Sequence, residues 1–197
     1  MGRQTFSSAG DYSFTNCRWI GCRSPSGQNC GAIYSNTSGV TLSFDKRVFS
    51  DCSCYSTTYD GGSIYAHSAS SLSVKNTSFK WTSTVDKQAD DGGALYLHTI
   101  TSVTIHDDTF TNCNITNSRG AVRIGYCSST DSASEVINNC RFLNCHGDNF
   151  YGSRIHAPLK NQYNNFITNS LFSGCSNLLD GALYIWYSSY YYSHVSL

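Results

Sequence analysis

The chain has 197 residues, with 13 Lys+Arg against 13 Asp+Glu and a formal net charge of zero. Without a basic stripe to meet phosphates, a nucleic-acid partner is disfavoured. No apolar run approaches the roughly 18 residues of a membrane span, and the amino end, MGRQTFSSAGDYSF, shows neither an apolar leader segment nor a good lipidation pattern.

Taken in order, the first recurrent feature is Phe14 with Cys17 three residues on, after residues 1–13 that enter partway through a unit. A polar loop, Arg23 to Asn29, leads to the strand GAIYS around Ile33, and both features then return together. Phenylalanines recur at Phe14, Phe49, Phe79, Phe110, Phe142 and Phe172, each followed three residues later by Cys17, Cys52, Thr82, Cys113, Cys145 or Cys175. Three residues before each Phe stands Asp11, Lys46, Asn76, Asp107, Asn139 or Asn169, which reads as a turn column. The aliphatic column is Ile33, Ile64, Leu95, Val122, Ile155, Leu183. The stretch from Asp90 to Cys113 holds one complete unit. Ser53–Asp60 and Thr82–Asp91 read as loops equivalent to Arg23–Asn29, while Gly125–Glu135 and His156–Asn165 lengthen later units.

Two independent columns with a period of about 30, short period-2 strands and no helical pattern indicate an all-β fold, a parallel β-helix or β-solenoid of about six coils. Residues 1–197 form one domain. Alternation puts Leu95 and Leu97 inside, with Ala94 and Tyr96 outside. Neither end carries an evident cap. The chain is therefore expected to be a segment of a longer solenoid, or to be covered at its ends by partner chains or copies of itself.

The motifs GGSIY at Gly61–Tyr65, GGALY at Gly92–Tyr96, FTNC at Phe14–Cys17 and Phe110–Cys113, and FLNC at Phe142–Cys145 carry a resemblance. Their pairing resembles the right-handed parallel β-helix of the polymorphic outer membrane protein repeats, and is similar to Cys-bearing β-helix repeats of protist surface proteins. The resemblance implies a right-handed, pectin-lyase-like superfold and an extracellular or cell-surface location. Because the matched residues are core and turn residues, it specifies a fold and leaves the activity open.

Ten cysteines are expected chiefly as a buried column of free thiols, Cys17 above Cys52 and Cys113, Cys145, Cys175 in series. Disulfides are more plausible among Cys22, Cys30, Cys54, Cys127 and Cys140, which break the pattern. No C-x-x-C pair occurs, so no metal centre is expected, and no cofactor. Of three sequons, those at Asn36 and Asn114 are open to modification, whereas Asn76 is expected to turn an inward amide into a ladder.

Candidate ligand-binding residues form an outward column, Tyr34, Tyr65, Tyr96, Arg123, His156 and Tyr184, with His67 and His98 beside it. Aromatic faces in a row could stack on sugar rings, or simply on one another and stiffen the sheet. Asp60, Asp90 and Asp91, with Asp148 and Asp180, sit near the starts of the same strands. The pectin-lyase-like resemblance implies carboxylates on such a surface for β-elimination or glycoside hydrolysis, with paired carboxylates as acid and base. Asp before Gly-Gly is also ordinary turn chemistry. The column Ser43, Ser73, Thr104, Val136, Phe166 is not the regular threonine array an ice surface would need. The expected role is a structural or adhesive solenoid segment that offers a surface to protein or glycan partners, or assembles end-on. A polysaccharide lyase or glycoside hydrolase is the alternative, and an intracellular filament or scaffold component a third.

Overall fold

The structure, a computed structural model, describes residues 3–24, 27–29, 31–54, 60–82, 89–91, 93–124, 134–146 and 167–175. The first coil comprises β1 (Gln4–Phe6), β2 (Gly10–Thr15) and β3 (Arg18–Ile20). The second comprises β4 (Ile33–Asn36), β5 (Val40–Asp45) and β6 (Val48–Ser50), and the third β7 (Ile64–His67), β8 (Ser71–Lys75) and β9 (Ser78–Lys80). After β10 (Ala89–Asp91), the fourth has β11 (Leu95–His98), β12 (Ser102–His106) and β13 (Thr109–Thr111). After β14 (Ile115–Arg119), the fifth has β15 (Val122–Ile124), β16 (Ser134–Asn138) and β17 (Arg141–Leu143), and β18 (Ile167–Thr168) and β19 (Leu171–Ser173) follow.

Corresponding strands stack in parallel as three sheets: β1-β4-β7-β11-β15 (sheet A), β2-β5-β8-β12-β16-β18 (sheet B) and β3-β6-β9-β13-β17-β19 (sheet C). The protein is an all-β parallel solenoid, and no helix occurs among the described residues. β10 pairs with β14 as a short fourth sheet. The end of the supposed Thr82–Asp91 loop is therefore a strand.

The stacked register puts like side chains on top of one another. In β5, Val40, Leu42 and Phe44 point inward and are buried, while Thr41 and Ser43 alternate outward. The main core stack is Trp19, Phe49, Phe79, Phe110, Phe142 and Phe172, with successive ring centroids 4.6–5.0 Å apart and planes within 5° of parallel. That separation is the strand spacing of a sheet, so each ring rests on the next.

Trp19, not Phe14, heads this stack. Phe14 pairs with Phe44 on sheet B, and Trp19 pairs with Phe49 on sheet C. The first coil of the sequence register is therefore corrected throughout. Cys22 rather than Cys17 lies above Cys52, and Asn16 rather than Asp11 heads the turn column, since Asn16, Lys46, Asn76, Asp107, Asn139 and Asn169 all have φ of 51–59°. Asn76 itself is exposed, its Nδ2 donating to Asp45 Oδ1 at 3.0 Å. The inward residue at that corner is Thr77. Ala94 is likewise buried, because it sits where the chain turns into the sheet rather than on the outer face.

Two corner columns close each coil. After sheet B come Cys17, Arg47, Thr77, Asp108, Cys140 and Ser170, a mixed set. After sheet C come Cys22, Cys52, Thr82, Cys113, Cys145 and Cys175. The inward thiols act as hydrogen-bond donors to backbone carbonyls. Cys113 Sγ reaches Thr111 O in its own coil and Phe79 O in the coil before, both at 3.7 Å. Cys52, Cys145 and Cys175 repeat this double contact, and Cys140 repeats it at the other corner. Cys22, Cys54 and Cys140, three of the five expected disulfide partners, are buried, and none is bridged to another described cysteine; Cys30 and Cys127 lie outside the described residues. Burial pushes the Cys52 and Cys140 thiols up to about 12, so they stay protonated and serve as donors.

Candidate functional site

The outward column on sheet A is assembled by strand register alone. Tyr34, Tyr65 and Tyr96 pair across β4, β7 and β11, and Arg123 follows on β15. The tyrosine rings stack at 5.2 and 4.8 Å. Arg3 lies 4.4 Å over the upper ring, and Arg123 lies 4.5 Å over the lower one. Every ring face in this run is therefore occupied, and Tyr65 and Tyr96 are only 8% and 7% exposed. Burial, with the neighbouring phenols and Asp60, raises the Tyr65 hydroxyl well above its ordinary value, partly offset by a hydrogen bond with the Asn29 side chain.

Beside the tyrosines, Asn36, His67 and His98 form a second outward column. The imidazoles stack at 4.8 Å with planes 5° apart. Ser68 Oγ and Thr99 Oγ1 each lie 2.8 Å from Nδ1 of the preceding histidine. Ser68 and Thr99 have φ of 60° and 54°, which turns their hydroxyls back towards the rings. Burial lowers the His67 pKa. Parallel stacking points the two Nε2 atoms the same way rather than converging them on one ion. Among the described residues no three His, Cys, Asp or Glu side chains gather as a metal-holding group.

At the top of the column the loop at Gly27–Asn29 folds against the outer face. Asn29 Oδ1 accepts the Asp60 N–H at 3.0 Å, and Asn29 O accepts Arg3 Nη1 at 2.8 Å. An open recess of about 340 Å³ results, lined by Arg3, Gly27, Gln28, Asn29 and Tyr34. Asp60 is half-buried nearby. Asp90 and Asp91 lie on β10, a different sheet. Their side chains, together with His156, Tyr184, Asp148 and Asp180, lie outside the described residues. The structure thus unites Tyr34, Tyr65, Tyr96, Arg123, His67 and His98 on one face, with Asp60 at its edge.

Sequence reasoning missed Arg3, Gln28 and Asn29. Their one signal was indirect: Gln4-Thr5-Phe6 fits the strand that precedes Ile33-Tyr34-Ser35 by one period, and it does pair with it. No family model matches the chain, and neither a curated protein nor a solved structure does.

Proposed function

We propose that the chain is a structural or adhesive β-solenoid segment, offering its flank to protein or glycan partners and associating end-on through its first coil. The observation that carries this reading is the unfinished stacking interface of that coil. Among the described residues β1, β2 and β3 each have a sheet neighbour on one side only, and such edges present unpaired N–H and C=O groups. Phe6, Tyr12 and Phe14 there are only partly buried, and Ile20 is 51% exposed. The corner thiols agree: among the described residues Cys17 and Cys22 reach carbonyls only within their own coil, Thr15 O and Ile20 O. The other corner thiols also take a carbonyl from the coil before. A further parallel coil would supply those carbonyls, pair the strand edges and cover the rings. Kinship with the polymorphic outer membrane protein repeats or the protist surface β-helices belongs to this same proposal, carried by the GGALY and FTNC motifs.

Sedimentation velocity over a wide concentration range tests it. The average mass should rise with concentration, and Tyr12→Lys, which puts a charge on the open end, should hold the protein monomeric with an unchanged far-UV spectrum. Ile20→Lys, at an already exposed position, should weaken association without loss of stability. A wild-type protein that stays monomeric at the highest concentrations would overturn the end-on reading.

A further inference from the structure

We infer that the recess beside Arg3 binds a small polar ligand through a carboxylate group. Arg3 is held in place from two directions, by its stack 4.4 Å above the Tyr34 ring and by the bond from Nη1 to Asn29 O. A guanidinium fixed in this way has lost much of its conformational freedom before any ligand arrives, which lowers the cost of binding. Its fork of N–H groups matches a carboxylate in a bidentate manner that a lysine could not reproduce. Among the described residues Arg3 has no carboxylate partner. The recess wall adds Gly27, Gln28, Asn29 and Tyr34 and, among the described residues, no acidic group. Asp60, whose charge bears on Tyr65, does not line it.

The ligand's character follows from the same geometry. At about 340 Å³ the recess is at the small end of ligand sites, which run from roughly 300 to 1,000 Å³. It suits one small acid better than a polymer chain. Both faces of Tyr34 are taken, by Arg3 and by Tyr65. No bare ring is left for an apolar body, so recognition rests on charge and on hydrogen bonds to the amides. Gln28 is exposed and its carboxamide has no bond within the described residues, leaving it available for a ligand hydroxyl.

Titration of ¹⁵N-labelled protein with tartrate, a hydroxy-acid, against erythritol, its neutral polyol counterpart, tests the inference. Tartrate should shift the Gln28 and Asn29 amide signals saturably, and erythritol should bind at least about tenfold more weakly. Arg3→Gln should reduce tartrate affinity at least about tenfold and Arg3→Lys severalfold. Arg123→Gln, the other arginine stacked on a tyrosine but outside the recess, should leave affinity unchanged. Because Arg3 also braces Asn29, Gln28→Ala provides a separate arm, with affinity down severalfold at an unchanged melting midpoint. Erythritol binding as well as tartrate, or Arg3→Gln or Gln28→Ala binding tartrate like wild type, would overturn it. So would an equal loss in Arg123→Gln. None of these results depends on whether the first coil associates end-on.

Discussion

Asp108 is the one carboxylate in the corner column after sheet B, and replacing it with threonine should change how stability depends on pH. The side chain is 1% exposed. Its Oδ1 accepts the Thr77 N–H at 2.6 Å and its Oδ2 accepts the His106 N–H at 3.1 Å. Those bonds favour the ionised form, while burial and the charges of Asp107 and Asp45 oppose it. Burial dominates and pushes the carboxyl from its ordinary 3.8 up to about 8. A folded-state value above the unfolded one means that the contribution is full below about pH 4 and is lost as pH rises through about 8. At about 1.4 kcal/mol per pH unit the ceiling is about 6 kcal/mol; uncompensated buried charges more often cost about 3–5 kcal/mol. Thr77 shows what a neutral residue does at the equivalent position, its Oγ1 accepting the Arg47 N–H at 3.4 Å and donating to Lys75 O at 2.8 Å. Asp108→Thr should therefore keep the corner closed while removing the titration. In urea unfolding, wild-type stability should fall by a few kcal/mol between pH 5 and pH 9, and the variant should lose much less. Wild-type stability rising relative to Asp108→Thr over that interval would show that the two N–H bonds outweigh burial, and the reasoning would fail.

Lys46 is the odd member of the left-handed turn column, at φ 59° among Asn and Asp, and it is exposed. Lys46→Gly should stabilise by roughly 0.5–1 kcal/mol in thermal or urea unfolding, because glycine carries no Cβ penalty there. The corner thiols should be inert in the folded state: a thiol reagent should modify buried Cys52, Cys113, Cys140 and Cys145 only as fast as the protein opens. Rapid modification of Cys113 under native conditions would contradict the corner geometry.

Much of this fold was legible because the columns are made of large or conformationally special residues. Phe49, Phe79, Phe110, Phe142 and Phe172 fall where the period puts them, and Lys46 through Asn169 mark the corner they precede. The first coil misled for a local reason. Phe14-Thr-Asn-Cys17 imitates the Phe-x-Asn-Cys turn, whereas the true equivalent, Trp19-Ile-Gly-Cys22, replaces both signature residues with substitutes that work equally well. Trp19 stacks as a phenylalanine does, and Gly21 takes φ 60° as asparagine would. Asp107 stands in the turn column, but adjacent acids in a sequence do not reveal which of Asp107 and Asp108 faces in. Here Asp107 makes the turn, its Oδ2 2.7 Å from His106 Nδ1, while Asp108 enters the core. The outward tyrosine column was visible, but its closure was not. That depended on Arg3 and on a corner loop whose position relative to sheet A only the coil geometry fixes.

The same geometry changes what the cysteines say. A chain with ten cysteines invites a disulfide framework and an oxidising compartment. Yet a coil corner poses a specific problem: carbonyls such as Thr111 O, which already accepts the Trp81 N–H of the neighbouring coil at 3.0 Å, keep a second lone pair facing the core. The residue that solves it must be small enough to sit among stacked rings and must carry a proton to give. A thiol with a pKa raised to about 12 meets both conditions, and hydroxyls serve the same purpose at Thr77 and Ser170, each bonding the carbonyl two residues back. At the sheet C corner Cys22, Cys52, Cys113 and Cys145 are buried in the main core cluster, where a thiol packs as a small hydrophobe. Packing and carbonyl contacts thus account for the described corner thiols, whichever compartment the protein occupies.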